Sequence, residues 1–288
     1  MGTILRMATD VLVTPAWLHE RLGEVRILDV RGRVLTQEPR YHADPDAYRA
    51  GHIPGAAFVD WRSDFTDRDD PVPVQLAPPA TFAADATRLG ITNDATVVAY
   101  DDYRNVLAGR IAWALRTYGH ADAHVLDGGL RSWTAAGYEL REGDEVPAPA
   151  DPPYRPGERR PTLWTLAEMK AALDRAVLVL DARAHDEYAG IESHARRHGH
   201  IPGAVNVPYR ELLVDDGPFR PADELRQAFA DAGVDIARID RPVVVYCNGG
   251  VSATAVANAL ALAGGPDAAV YDGSWNEWGN RSETPIEN

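Results

Sequence analysis

The chain has 288 residues, 45% of them hydrophobic and 25% charged, a balance that supplies sizeable cores and at this length predicts two domains. A net charge of −14 argues against a nucleic-acid partner, which needs clustered Lys and Arg, and no apolar run of about eighteen residues offers a membrane span. Cys247 is the single cysteine, which excludes an intrachain disulfide and any multi-cysteine zinc site.

The opening "MGTILRMATDVLVTPAWL" lacks a basic segment, a long apolar core and a small-residue cleavage site, so a cytoplasmic protein is expected. "TPAWLHERLG" reads as a helix, "ILDVR" (27–31) as a strand, "PATFAADATRLG" as a helix, "TVVAYD" (96–101) as a strand and "RNVLAGRIAWALRTYG" as a helix. "VLDGGLRSW" (125–133) closes this first half. The stretch "REGDEVPAPADPPYRPGERRPTLW" (141–164), with six prolines and many charges, suits an extended surface linker. Thr165 and Glu168 then form a capping box ahead of "LAEMKAAL", and "VLVLD" follows as a buried strand. "PADELRQAFADAG" begins with proline and ends with glycine, as a helix should, "PVVVY" is the next strand, and "SATAVANALALAG" is a helix small enough to pack tightly against a sheet.

The second half repeats the first. "ILDVR" answers "VLDAR" (179–183), "GHIPGAAFV" (51–59) answers "GHIPGAVNV" (199–207), "TVVAYD" answers "PVVVYC" (242–247), and "VLDGGLRSW" answers "VYDGSWNEW" (270–278). The offset drifts only from 152 to 145, as small loop insertions would produce. The expected organisation is therefore a duplicated α/β domain with mostly parallel sheets flanked by helices: 11–140, a linker over 141–164, and 165–285.

Cys247 follows the last residue of a strand and precedes a glycine-rich turn and a helix. Ligands of open parallel sheets bind beyond the carboxyl ends of strands. The amides of Asn248, Gly249, Gly250, Val251 and Ser252 can form an anion cradle there, with the two glycines permitting close approach and positive φ, and such surroundings favour the thiolate. The repeat serves as a control: features common to both halves serve the fold, and those in one half are candidates for function. His52 and His200 share the "GHIPGA" context and read as turn-organising residues; the Asp29/Arg31 and Asp181/Arg183 pairs read as ion pairs, with Arg183 also able to add field to the site; Trp133 and Trp278 read as packing residues. At the place of Cys247 the first half has Asp101, which cannot act as a sulfur nucleophile, so that half reads as catalytically silent.

Two "GHIPGA" stretches, the loop "CNGGVS" after a strand, and "YDGSWNEWG" near the C-terminus together resemble the tandem-domain rhodanese family of sulfurtransferases. The resemblance implies two parallel five-stranded sheets and a Cys247 persulfide that carries a sulfane sulfur from thiosulfate or 3-mercaptopyruvate to cyanide, a thiol or a sulfur-carrier protein. Asn248 through Ser252 would hold the outer sulfur; no metal or organic cofactor is implied. The uncharged loop is more like the mercaptopyruvate type, although Gly249 replaces a hydroxyl residue of the family. Glu187 stands where an arginine is usual and would repel an anionic donor. Arg196 and Arg197 are candidates for the missing cation, and Val74 lies near the place of a histidine in mercaptopyruvate-type members. Phosphatase chemistry is disfavoured because the sixth residue after Cys247 is Ala253 and not arginine. The alternative is a non-catalytic module of the same fold that only binds a partner.

Overall fold

The computed structural model describes residues 11–288. The strands are β1 (Leu12–Val13), β2 (Arg26–Asp29), β3 (Gly32–Val34), β4 (Tyr41–Ala43), β5 (Ala56–Phe58), β6 (Val97–Tyr100), β7 (Ala123–Leu126), β8 (Leu163–Trp164), β9 (Leu178–Asp181), β10 (Val205–Asn206), β11 (Val243–Tyr246) and β12 (Ala268–Tyr271). They form two five-stranded sheets, ordered β1-β7-β6-β2-β5 and β10-β9-β11-β12-β8, with every pairing parallel. The runs "RILD", "VVAY", "LVLD" and "VVVY" are buried almost throughout, as strands covered on both faces must be. The two orders are equivalent, so the duplication legible in the sequence is a duplication of topology.

Local signals act where they were read. Thr165 Oγ1 accepts from the Glu168 amide at 3.4 Å while Glu168 Oε2 accepts from the Thr165 amide at 2.6 Å, closing the capping box. His52 and His200 donate through Nδ1 to the carbonyls of Tyr48 (3.0 Å) and Tyr188 (2.9 Å) and stack on those two rings, which fixes the turn in both halves. Arg31–Asp29 and Arg183–Asp181 close as buried pairs at 2.8 and 2.6 Å. The helix expected over "TPAWLHERLG" runs only from Pro15 to His19, because Arg21 and Glu24 turn the chain through short-range bonds towards β2. The proline-rich stretch lacks regular structure up to β8, yet it is pinned to the first half: Ala150 donates to Thr87, Gly157 to Tyr118, and Tyr154 is buried.

The halves meet through the helices that follow their central strands, Val106–Thr117 after β6 and Ala253–Leu262 after β11. Small residues make that approach possible. A Cβ on Gly109 would lie 3.0 Å from Thr254 Oγ1, so glycine here serves close approach and not a turn. Both helices start at the loops that carry Asp101 and Cys247, and their packing sets the two loops on either side of the interface.

Candidate functional site

In the first half the loop cradle is filled from within. Asp101 Oδ1 accepts from the amides of Tyr103 (2.8 Å) and Asn105 (3.0 Å), and Oδ2 from those of Leu107 (2.9 Å) and Ala108 (2.8 Å). Burial pushes this carboxyl up to about 6, and the amides oppose that rise, so it is an anion at neutral pH. The loop at a helix mouth thus binds negative charge with main-chain donors.

In the second half Cys247 occupies the corresponding point at the end of β11 and is 2% exposed. Its sulfur borders a cleft of about 430 Å³ whose walls include Asn248, Gly249, Val251 and Ser252 from the loop and Arg183, Glu187 and His194 from the same half. Val34, Leu35, Arg40, Tyr41 and Tyr103 of the first half, with Tyr209, complete it. The cleft is therefore built by both halves.

The cradle differs from expectation at one amide. Gly250 N–H donates to Ser274 Oγ at 3.0 Å, as does the Cys247 amide at 3.1 Å, and the Ser274 hydroxyl donates onward to the Tyr271 carbonyl at 2.7 Å. Gly250 is thereby removed from the set able to hold an anion. Gly249, Val251 and Ser252 have no acceptor for their amides among the described residues, nor does the Ser252 hydroxyl, which lies at the cleft wall. The two glycines have separate reasons. Gly250 takes φ +71°, whereas a Cβ on Gly249 would lie 3.0 Å from Asn276 Nδ2 and 3.3 Å from both Tyr41 Oη and Val74 Cγ2. A side chain at Gly249 would require Asn276, Tyr41 and Val74 to shift by a few tenths of an ångström.

Glu187 is beside the loop: its Oε1 accepts from Asn248 Nδ2 at 2.7 Å and its Oε2 from the Ala184 amide at 3.2 Å. Arg183 is held by Asp181 and the Gly199 carbonyl and lies over the Trp275 ring at 4.4 Å; burial opposes its charge and Asp181 more than restores it. Its Nη1 is buried without a partner among the described residues, so one donor remains for an anion in the cleft. The expectation for Arg196 and Arg197 is corrected. Arg197 turns away to the carbonyls of Thr284 (2.8 Å) and Trp278 (2.9 Å) and to Thr284 Oγ1, Arg196 is exposed with its amide on Asn280, and neither side chain borders the cleft. A sequence shows that two arginines are adjacent but not that carbonyls will capture the second and leave the first in solvent.

Several contributors had no local signal. Arg110, in the first half's helix, reaches the Gly250 carbonyl at 3.3 Å, the Val74 carbonyl at 2.8 Å and Asp272 Oδ1 at 2.5 Å. Tyr41, on the β3–β4 hairpin, accepts from Asn276 Nδ2 at 2.8 Å, which leaves its O–H free to donate among the described residues; burial raises this phenol, so it stays protonated at neutral pH. Ser274 takes φ +50°, unusual for a residue with a side chain, where the first half has Gly129. The one visible hint was that serine, set against glycine in the paired "DGG" and "DGS" stations.

Two equivalent parallel sheets, a thiol at a strand end and its acidic counterpart in the other copy define a duplicated α/β protein with one strand-end loop open to a cleft. A model of the Rhodanese-like domain matches residues 14–136 and again 165–281, and the chain belongs to the rhodanese family. It is 36% identical to the 3-mercaptopyruvate sulfurtransferase of Escherichia coli strain K12 over 98% of this chain and 99% of that one. It is 34% identical to the thiosulfate sulfurtransferase of Rattus norvegicus (94% and 92%) and 36% identical to the sulfur carrier protein TtuD of Thermus thermophilus (96% of both). Among solved structures, the 3-mercaptopyruvate sulfurtransferase SseA of E. coli superposes with a TM-score of 0.80 at 33% identity, covering 92% of this chain and 98% of that one. At this similarity over nearly full length, the chain is a sulfurtransferase. No helix among the described residues is long and apolar enough to cross a membrane.

Proposed function

We propose that Cys247 is the nucleophile and carries the transferred sulfur as a persulfide, with thiosulfate or 3-mercaptopyruvate as donor. The observation that carries this reading is the pair of loops: where the silent copy holds the Asp101 carboxylate by four amides, the other copy has a sulfur and unoccupied amides. A cysteine side chain is shorter than aspartate by one heavy-atom layer, and a bound outer sulfur would fill that difference.

In the first half-reaction the Cys247 thiolate attacks the sulfane sulfur. With thiosulfate the S–S bond breaks and sulfite leaves with the electron pair; with 3-mercaptopyruvate the C–S bond breaks, the carbon takes up the thiol proton and pyruvate leaves. The amides of Gly249, Val251 and Ser252, the Ser252 hydroxyl and Arg183 Nη1 face the developing charge. An acceptor thiolate or cyanide then attacks the outer sulfur, and the electron pair of the broken S–S bond returns to Cys247. Asn248 positions Glu187, and Gly250 fixes the loop through Ser274. Two separate half-reactions predict ping-pong kinetics. A reducing compartment such as the cytoplasm suits a thiol that must stay free between turnovers. Sulfur-carrier proteins belong to the acceptor classes in this reading, on the likeness to TtuD.

Mass spectrometry after incubation with each donor tests the reading. A gain of about 32 Da on the wild type, absent from Cys247→Ser, is expected. If no donor adds that mass, the reading fails and a binding module of the same fold replaces it.

A further inference from the structure

The first half carries a hairpin, β3 with β4, that has no counterpart in the second half among the described residues, and Tyr41 stands in it opposite Val34. Trp61 fixes the hairpin there. Its indole N–H donates to the His42 carbonyl at 2.9 Å, and its ring meets that of Tyr41 edge-on with centroids 5.6 Å apart. The hairpin thus delivers a phenol to the cysteine loop of the other half. Tyr41 Oη meets Asn276, whose main-chain amide donates to the Asn248 carbonyl at 2.8 Å, and it lies 3.3 Å from the point where a Gly249 side chain would begin.

The direction of the bond to Asn276 decides what this phenol can do. Asn276 Nδ2 donates and Tyr41 Oη accepts, so the phenolic proton has no acceptor among the described residues, and Tyr41 lines the cleft. Burial raises this phenol, and the Cys247 sulfur also raises it, so the two groups are within electrostatic reach of each other. The other phenols of the cleft are placed differently: Tyr103 donates its proton to the Val34 carbonyl at 3.1 Å, and the Tyr209 hydroxyl pairs with Arg210 Nε at 3.3 Å.

Cleavage of 3-mercaptopyruvate calls for a donor at such a point. Charge develops on its ketone oxygen, three bonds from the transferred sulfur and therefore beyond the amides that hold that sulfur. We propose that Tyr41 is a catalytic residue for this donor, its O–H stabilising the enolate oxygen formed as the C–S bond breaks. This rests on the persulfide reading and assigns a residue to one of its steps. The Cys247 thiolate bonds to the donor sulfur, and the electron pair of the C–S bond passes into the enolate of pyruvate. The hydrogen carried by the transferred sulfur then moves to the methylene carbon, pyruvate leaves, and the persulfide remains as an anion. Tyr41 keeps its own proton throughout. Sulfite leaving from thiosulfate forms no enolate, so loading from that donor does not use this bond.

The test measures single-turnover loading of the full chain from each donor, read as mass gained on Cys247, and takes the ratio of the 3-mercaptopyruvate rate to the thiosulfate rate. Both rates come from one preparation, so an unfolded fraction lowers both and cancels. The ratio should fall about fivefold in Tyr41→Phe, the effect of losing one hydrogen bond. It should rise above the wild-type value when fluorotyrosine, a stronger donor of nearly equal size, is incorporated at position 41. A merely structural role moves both rates together and leaves the ratio alone. A wild-type ratio in either protein overturns this inference alone, as does a wild type that loads from thiosulfate and not from 3-mercaptopyruvate. Failure of both donors to load Cys247 overturns the persulfide reading, and this inference with it.

Discussion

Arg110 Nη1 lies 2.5 Å from Asp272 Oδ1, and both side chains are buried at the junction of the two halves. One residue belongs to the first copy and the other to the "DGSW" station of the half that carries Cys247, and Asp272 Oδ2 also accepts from the Leu76 amide at 2.8 Å. The pair connects the Gly250 carbonyl, the Val74 carbonyl and the first half's 65–77 segment into one network. The first copy is thus part of the scaffold of the cleft.

Breaking that pair by Arg110→Met should lower stability by about 3–5 kcal/mol, because an uncompensated carboxylate stays buried. The double variant with Asp272→Leu should recover a large part of that loss. Urea unfolding of the single and double variants measures both; equal stability of wild type and Arg110→Met would show the network to be incidental.

Ser274 gives a test of how the loop is held. Ser274→Gly removes the acceptor for two amides while relieving the φ +50° conformation, and Ser274→Ala removes the acceptor but keeps the strain. Each variant should slow persulfide loading by roughly tenfold or more, with alanine the less stable of the two by about 1–2 kcal/mol. Loading at the wild-type rate in the glycine variant would separate Ser274 from the site.

Tyr41→Phe deletes a hydroxyl beside Gly249 that has a free hydrogen to donate. The expected result is a several-fold drop in loading rate with little change in stability, since the bond lost to Asn276 is only half-buried, at about 1 kcal/mol. Stopped-flow alkylation of unloaded Cys247 gives the rate.

His194 predicts a pH dependence. Its imidazole is held below the usual range by burial and by Arg40, so positive charge appears in the cleft only as pH falls through that lowered value. Thiosulfate loading relative to His194→Gln should therefore rise as pH falls below the ordinary imidazole range and coincide above pH 7. A constant ratio across that range would place His194 outside the donor's field.

Asp101 predicts a dependence of opposite kind. Its folded carboxyl is raised to about 6, above its unfolded value, so its contribution to stability is fully present at low pH and is lost as pH rises through about 6. The stability difference between wild type and Asp101→Asn should shrink by about 2 kcal/mol from pH 4 to pH 7, an order-of-magnitude figure from the shift. Parallel denaturation at the two pH values reads the slope directly.

The repeated stations and the buried β-branched runs were enough to establish two parallel sheets and to set the cysteine at a strand end before a helix, because period and order along the chain dictate them. They were also enough to separate Asp101 from Cys247 and to mark Glu187 as a departure beside the loop. What surrounds the sulfur was settled only when the chain folded back on itself: Tyr41 meets Asn276 and Arg110 meets Asp272 across separations of 235 and 162 residues. Arg196 and Arg197 show the same limit from the other side, since adjacency in sequence suggested a cation, whereas the C-terminal carbonyls engage Arg197 and Arg196 is exposed. Backbone pattern is governed by neighbours a few residues away, whereas the direction of a long polar side chain is governed by whichever buried acceptor packing brings within reach.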